Sequence, residues 1–199
     1  MNDTLDFGLR GKVAIVAGGG AVGKDIGNGR AASILLADAG AKVLVTDKDE
    51  ILAKNTVKMI QDRGGEAISV SGDLTKSDQC KEVVDLAIRS WGRLDILDNN
   101  IGVASKLSVV DETEENWDKV MDINLKPMFL MSKYAIPEMI KSGNGGSIVN
   151  ISSISATRPR GFTTYSASKG AVLSLSQAMA VDHGSDGIRV NCILPGPVY

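Results

Sequence analysis

Short apolar runs alternate with longer stretches of helical period along nearly the whole chain. Lys12-Val-Ala-Ile-Val-Ala17, bounded by Gly11 and a glycine cluster, reads as a parallel strand buried on both faces. From about Gly29 to Ala39 the period becomes helical, with Ala32, Leu35, Leu36 and Ala39 spaced for one buried face and Gly40 as the stop. The unit repeats as strand 43–46, helix 51–63, strand 67–71, helix 77–91 and strand 94–97, each pair separated by glycine or polar turn residues. Residues 113–141 read as a long helical region bent or broken near Asn124 and Pro127, and strands at 147–151 and 188–193 enclose one more helix. Such alternation predicts an α/β fold: a doubly wound, mostly parallel sheet in a Rossmann-like three-layer architecture. No linker, low-complexity tract or charge block divides the sequence, so residues 1–199 are expected to form a single domain.

Composition narrows what such a sheet serves. With 22 Lys+Arg against 24 Asp+Glu, a net charge of −2 and no basic block, the chain carries no electrostatic footprint for nucleic acid. No apolar run approaches the roughly 18 residues of a membrane span, and no signal-peptide profile opens the sequence. A cytoplasmic protein without membrane contact is the expectation. Cys80 and Cys192 are far apart, one near a helix start and one in an apolar strand, which argues against a structural disulfide. One histidine and two separated cysteines cannot build the usual structural zinc site, while a carboxylate-bound magnesium stays open.

Tyr165-Ser-Ala-Ser-Lys169 lies on a helical stretch and places a phenol and an ammonium on one helix face. A nearby cation stabilises the phenolate, moving a group that ordinarily titrates near pH 10 toward acid/base work at neutral pH. Alone, the pair equally describes a surface tyrosine beside a solvated lysine. Between the first strand and the first helix runs a glycine-rich turn from Gly18 to Gly29. Small residues let the backbone approach a pyrophosphate, and the free N–H groups opening the next helix attract its charge. Gly18 directly follows the strand, whereas Gly23, Gly27 and Gly29 lead into the helix, so the turn is about five residues longer than a short dinucleotide turn. Lys24 is followed by Asp25 rather than Ser or Thr, which argues against a P-loop. Asp47 ends the second strand 20 residues beyond Gly27, where an acid can bind adenosine ribose hydroxyls. The same charge would repel a 2′-phosphate, favouring NAD over NADP. Asp47 also suits a polar turn or a helix start.

Together these residues resemble the short-chain dehydrogenase/reductase family. Asn99-Asn100-Ile101-Gly102 is similar to its Asn-Asn-Ala-Gly segment after the fourth strand, Asn124 to its helix asparagine, and Asn191-Cys-Ile-Leu-Pro-Gly196 to the segment closing its sixth strand. The likeness runs from about Leu9 to Tyr199. It implies an NAD-dependent oxidoreductase interconverting a secondary alcohol and a ketone. Tyr165 would be the general acid in reduction and, as phenolate, the base in oxidation. Lys169 would hold the nicotinamide ribose and lower the tyrosine pKa, and a serine would polarise the substrate oxygen. Asn124, through its side chain and a locally opened helix, would hold water in a relay toward Lys169. Ser153 is the favoured serine although it stands 12 residues before Tyr165, one short of the usual spacing. Ser152 has the usual count but points to the other side by strand alternation; it and Ser155 remain alternatives.

The resemblance further implies cofactor contacts from Gly18, Gly23, Gly27, Gly29, Asp47, Asn100, Ile101, Gly102, Tyr165, Lys169, Pro195, Gly196 and Val198. Asp73, with Leu74 beside it, resembles the adenine-ring contact, and Asp73 also suits a cap for the helix from Ser77. Two positions depart from the pattern. Ile101 replaces the customary alanine, adding volume beside the cofactor, and Asp98 puts a charge needing a partner where an apolar strand residue is common. The family usually continues beyond the Pro195-Gly196 segment with a substrate loop, further helices and a last strand. Residues 1–199 are therefore expected to be an NAD-binding domain without that cover, with homodimers or homotetramers as the family expectation. Two other functions fit the same motifs: a non-catalytic dinucleotide-binding or scaffold protein, and an NAD-linked epimerase or dehydratase. Nucleophilic serine chemistry does not fit, because His183 stands alone and there is no Gly-x-Ser-x-Gly elbow.

Overall fold

The computed structural model describes residues 7–22 and 26–197. Six strands, β1 (Val13–Ala17), β2 (Lys42–Asp47), β3 (Ala67–Ser71), β4 (Ile96–Asn99), β5 (Gly146–Ile151) and β6 (Ile188–Ile193), form one parallel sheet in the order β3-β2-β1-β4-β5-β6. The helices between them are α1 (Asn28–Asp38), α2 (Glu50–Gln61), α3 (Ser77–Trp91), α4 (Glu114–Asn124), α5 (Lys126–Lys141) and α6 (Thr163–His183). Chain direction across the sheet reverses between β1 and β4, so the segments leaving these two strands diverge and open a crevice at their carboxyl ends.

Strand alternation divides the core. Val16, Val43 and Val45 meet Ala37 of α1 and Ala53, Val57 and Ile60 of α2 on one face. Val13, Ile15, Leu44, Leu97 and Ile148 meet Val83, Val84 and Ala87 of α3 and Met131, Ala135 and Met139 of α5 on the other. Because β1 is buried along its whole length, its sequence is a continuous apolar run rather than an alternating one. One polar line crosses this interior: Asn99 Nδ2 donates to Asn150 Oδ1 at 2.8 Å, and Asn150 Nδ2 donates to Ser176 Oγ at 2.9 Å, with both asparagines fully buried.

The expected bounds of β3, α3 and β6 match those found, while β4 lies two residues later than its apolar pattern suggested, taking in Asp98 and Asn99. Apolar spacing also misassigned the buried face of α1. Gly29, Arg30, Ser33 and Ala37 are buried there, and Leu35 is 66% exposed. The cause is proximity: α1 lies so close to the turn after β1 that Gly29 and Ser33 face its backbone and Arg30 reaches under it to bond the Ala21 carbonyl, so no leucine fits there. The expected break in the long helical region falls at Leu125, with φ −114° and ψ −49°, and Pro127 sits in the first turn of α5 where its missing N–H costs no helical bond. Both cysteines are free thiols.

Candidate active site

A cleft of about 360 Å3 opens at the carboxyl ends of β1–β4, lined among others by Gly18, Gly20, Asp47, Asp73, Leu74 and Asn100. Its floor is a turn built without side chains. Gly18 has φ +81°, and a Cβ there would stand 3.0 Å from the Asn100 carbonyl carbon. A Cβ at Gly29 would overlap the Gly18 carbonyl oxygen, so glycine here is what lets α1 start against the turn. Gly27 is the N-cap of α1 with φ −70°, and a Cβ there would make only ordinary contact with Ala21; its being glycine is not dictated by neighbouring protein atoms. Gly23 and Val198, two expected cofactor residues, lie outside the described residues.

The turn is braced from beneath by Arg30. Its Nε donates to Thr56 Oγ1 at 3.1 Å and its Nη2 to the Ala21 carbonyl at 2.6 Å, while Thr56 Oγ1 donates to the Gly19 carbonyl at 2.8 Å. At the far wall, Asp47 Oδ2 accepts from Gly20 N–H at 3.0 Å and Oδ1 from Asp49 N–H at 3.1 Å. The cap of α2 is Asp49, not Asp47. Asp73 does not cap α3 either: its Oδ1 accepts from Thr75 Oγ1 and N–H, chiefly the hydroxyl, and this holds its carboxyl below the usual range.

A second cleft of about 300 Å3 adjoins the first, sharing Asn100, Gly102 and Val103 with it, and is lined also by Ser152, Ser153, Tyr165, Lys169, Pro195 and Gly196. Lys169 is only 3% exposed. Its Nζ donates to the Ile151 carbonyl at 2.8 Å and reaches the Ile101 carbonyl at 3.5 Å, bridging the ends of β5 and β4. Burial pushes its ammonium down to about 8, with Cys192 opposing. Lys169 Nζ also lies 5.9 Å from the centroid of the Tyr165 ring. A Cβ at Gly102 would stand 3.0 Å from that same Nζ, so this glycine keeps the ammonium's place open.

The two serines differ in what they can still do. Ser152 Oγ donates to the Lys169 carbonyl at 2.7 Å, pinning α6 to the end of β5. Ser153 Oγ accepts from Ser155 N–H at 3.2 Å, which leaves its own hydroxyl proton available to the cleft. Ser155 enters through its backbone. Asn124 is engaged through both polar atoms: Oδ1 accepts from Val103 N–H at 2.7 Å, and Nδ2 donates to the Val103 carbonyl at 3.0 Å and to Ser168 Oγ at 2.9 Å. A side chain so placed clamps the loop after β4 to α6 and keeps one lone pair on Oδ1. Asp98, 6% exposed, accepts from Asn100 Nδ2 at 2.9 Å through Oδ2, while its Oδ1 has no partner among the described residues. Burial pushes this carboxyl up to about 6, opposed by that one bond.

The sequence profile of short chain dehydrogenases matches residues 12–199. The chain belongs to the short-chain dehydrogenase family. An uncharacterized oxidoreductase of Thermotoga maritima is 41% identical to this short-chain dehydrogenase over 190 residues, covering 94% of this chain and 72% of that protein. A 2,5-dichloro-2,5-cyclohexadiene-1,4-diol dehydrogenase of Sphingobium indicum is 38% identical over 189 residues, 94% of this chain and 73% of the relative. A solved Burkholderia xenovorans chain superposes with a TM-score of 0.92 at 35% identity, covering 96% of this chain and 76% of that one.

As a short-chain dehydrogenase the chain is an oxidoreductase with a nicotinamide dinucleotide cofactor, NAD or NADP. The residues present fit such a group: Gly18 and Gly20 line the cleft with bare backbone, and a Cβ at either would press on Asn100 or on Asp47 and close the turn's approach. No helix among the described residues is long and apolar enough to cross a membrane. Sequence reasoning passed over Arg30, Thr56, Glu112 and Thr164. Only Ser168, inside the Tyr-Ser-Ala-Ser-Lys run, carried a local signal.

Proposed function

We propose that this short-chain dehydrogenase is NAD-dependent and interconverts a secondary alcohol and a ketone. The observation that carries this reading is that Tyr165, Lys169 and Ser153 line one cleft continuous with the glycine-floored one. Bound NAD would supply the hydride acceptor in alcohol oxidation. Gly18, Gly20 and the first turn of α1 would hold its pyrophosphate, Asp47 the adenosine ribose, and Asp73 and Leu74 the adenine. An acceptor-only carboxylate at position 47 supports NAD over NADP, since a 2′-phosphate would meet like charge.

On the substrate side Ser153 donates a hydrogen bond to the alcohol oxygen, and Tyr165 as phenolate takes the hydroxyl proton. The Lys169 ammonium stabilises that phenolate and leaves by no easy route, being held by two backbone carbonyls. Asn124, through its side-chain oxygen and the backbone at the helix opening beside Leu125, would hold water in a relay toward Lys169. The diol named in the Sphingobium relative supports an alcohol as the substrate class. A cytoplasmic location and a homodimer or homotetramer belong to the same proposal; a cleft lined by Met121, Leu125, Phe129, Ala171 and Leu175, with the Asp122–Lys126 ion pair beside them, supports self-association.

Single-turnover NADH formation from a panel of secondary alcohols tests the reading. Tyr165→Phe should lower it by about 10²–10⁴-fold while leaving NAD affinity close to wild type. A near-normal rate in that variant removes Tyr165 from the role.

A further inference from the structure

Glu112 lies outside both clefts, in the loop before α4, yet it joins three segments of chain. Its Oε2 accepts from Ser105 Oγ at 2.6 Å and from Thr164 Oγ1 at 2.5 Å, and its Oε1 accepts from Asn116 Nδ2 at 2.6 Å. Ser105 and Thr164 are buried, at 5% and 0% exposure. Thr164 directly precedes Tyr165, and Ser105 follows Val103 and Ala104, which line the catalytic cleft. These bonds, Ser105 first and then Thr164 and Asn116, hold the Glu112 carboxyl down at about 2, so it is an acceptor at any working pH.

The pattern on α6 shows what the acid does. Thr164 and Ser168 are four residues apart and share one helix face; Tyr165 and Lys169 share the next, about 100° round. Residues 103–107 are tied to α6 at successive points: Val103 through Asn124 to Ser168 and Ser105 through Glu112 to Thr164 on the first face, and the Leu107 carbonyl by Thr163 N–H at 3.3 Å at the helix start. Fixing one face of a helix fixes its rotation, and rotation decides where the neighbouring face aims. The N-cap of α6, Phe162, makes no side-chain cap bond, so the helix start depends on such outside ties.

We infer that Glu112 is a positioning residue for Tyr165, setting the rotation of the first turn of α6 against the loop that walls the catalytic cleft. It touches neither substrate nor cofactor. The inference rests on Tyr165 being the proton-handling group, as proposed above.

Four variants test it: Glu112→Ala, Glu112→Gln, Thr164→Val and Tyr165→Phe. For each, single-turnover hydride transfer per folded molecule at saturating NAD is measured across pH, with NAD affinity and, without cofactor, amide hydrogen exchange along α6. Glu112→Ala should slow hydride transfer by about tenfold or more, because small misplacements of a reacting group are costly. Its NAD affinity should stay within about twofold, and exchange should quicken in the first turn of α6 while the later turns keep their protection. Glu112→Gln, which retains one acceptor oxygen, should recover part of the rate, and Thr164→Val, a change of one hydroxyl for a methyl, should reproduce part of the loss. If Glu112 serves stability alone, the alanine variant melts lower but its folded molecules keep the wild-type rate, pH profile and exchange pattern. That result, with Tyr165→Phe inactive, overturns the inference and spares the proposed function. A full rate in Tyr165→Phe overturns both.

Discussion

The two halves of the site are built by different means. On the β1–β2 side the cleft is shaped by what is missing: Gly18 and Gly20 line it without side chains, Gly29 lets α1 close on the turn, and ligand groups would meet backbone N–H and the carboxylates of Asp47 and Asp73. On the β4–β5–α6 side it is shaped by side chains held by other side chains, with Asn124, Ser152 and Glu112 each reaching 17 or more positions along the chain to fix α6 or the loop beside it. A backbone cradle needs few residues and tolerates little added volume. A side-chain constellation accepts substitution at many positions but loses aim by small amounts at each.

The largest effect that sharpens this contrast is expected at Gly29. In Gly29→Ala the new methyl must displace the Gly18 carbonyl, a backbone group with nowhere soft to go. Overpacking of this kind costs on the order of 1–3 kcal/mol, so cofactor affinity should fall by roughly ten- to a hundredfold. Calorimetric titration with NAD reads it directly, and a wild-type dissociation constant would break the comparison. Asp47→Ala comes next: loss of a charge-assisted acceptor should weaken NAD by about 1–2 kcal/mol and narrow its advantage over NADP. Equal loss for both cofactors would mean that Asp47 supports the Gly20 turn rather than the ribose.

The smallest effect concerns Asp98, a buried carboxylate with one oxygen unpartnered among the described residues. Its folded pKa is raised to about 6, so the folded state favours the neutral acid. Below the unfolded value of about 3.9 this group carries no penalty; destabilisation grows as pH rises through about 4 to 6 and stays complete above. Asp98→Asn keeps the polar shape without the charge. It should raise the melting temperature at pH 8 by a few degrees, and by almost nothing near pH 4. An equal gain at both pH values would assign the strain to shape instead of charge.

What was legible in the sequence follows the same divide. The glycine turn, Asp47 and the Tyr165–Lys169 pair are local patterns, and local spacing places them. β4 was set two residues early because the apolar run ends at Leu97, whereas the sheet also takes in and buries Asp98 and Asn99. Leu35 was assigned to the interior on hydrophobic period alone, although the close approach of α1 to the Gly18 turn gives the buried face to Gly29, Arg30 and Ser33. Ser153 over Ser152 was argued from strand alternation; the finding that distinguishes them is that the Ser152 hydroxyl is bonded to the Lys169 carbonyl. Glu112 could not be found by spacing, because its meaning lies in Thr164, 52 positions away.

The buried line from Asn99 through Asn150 to Ser176 has a consequence for assembly. In a parallel sheet the ladder bonds repeat evenly, so hydrophobic strands can dock one step out of register and still look nearly satisfied. Here Asn99 must stand opposite Asn150, as it does in the native pairing. A slip of two residues preserves the faces of both strands but parts the amides inside hydrocarbon, where each orphaned polar group costs about 1–3 kcal/mol. The pair thus penalises β4–β5 pairings that are out of register, whatever their hydrophobic faces allow.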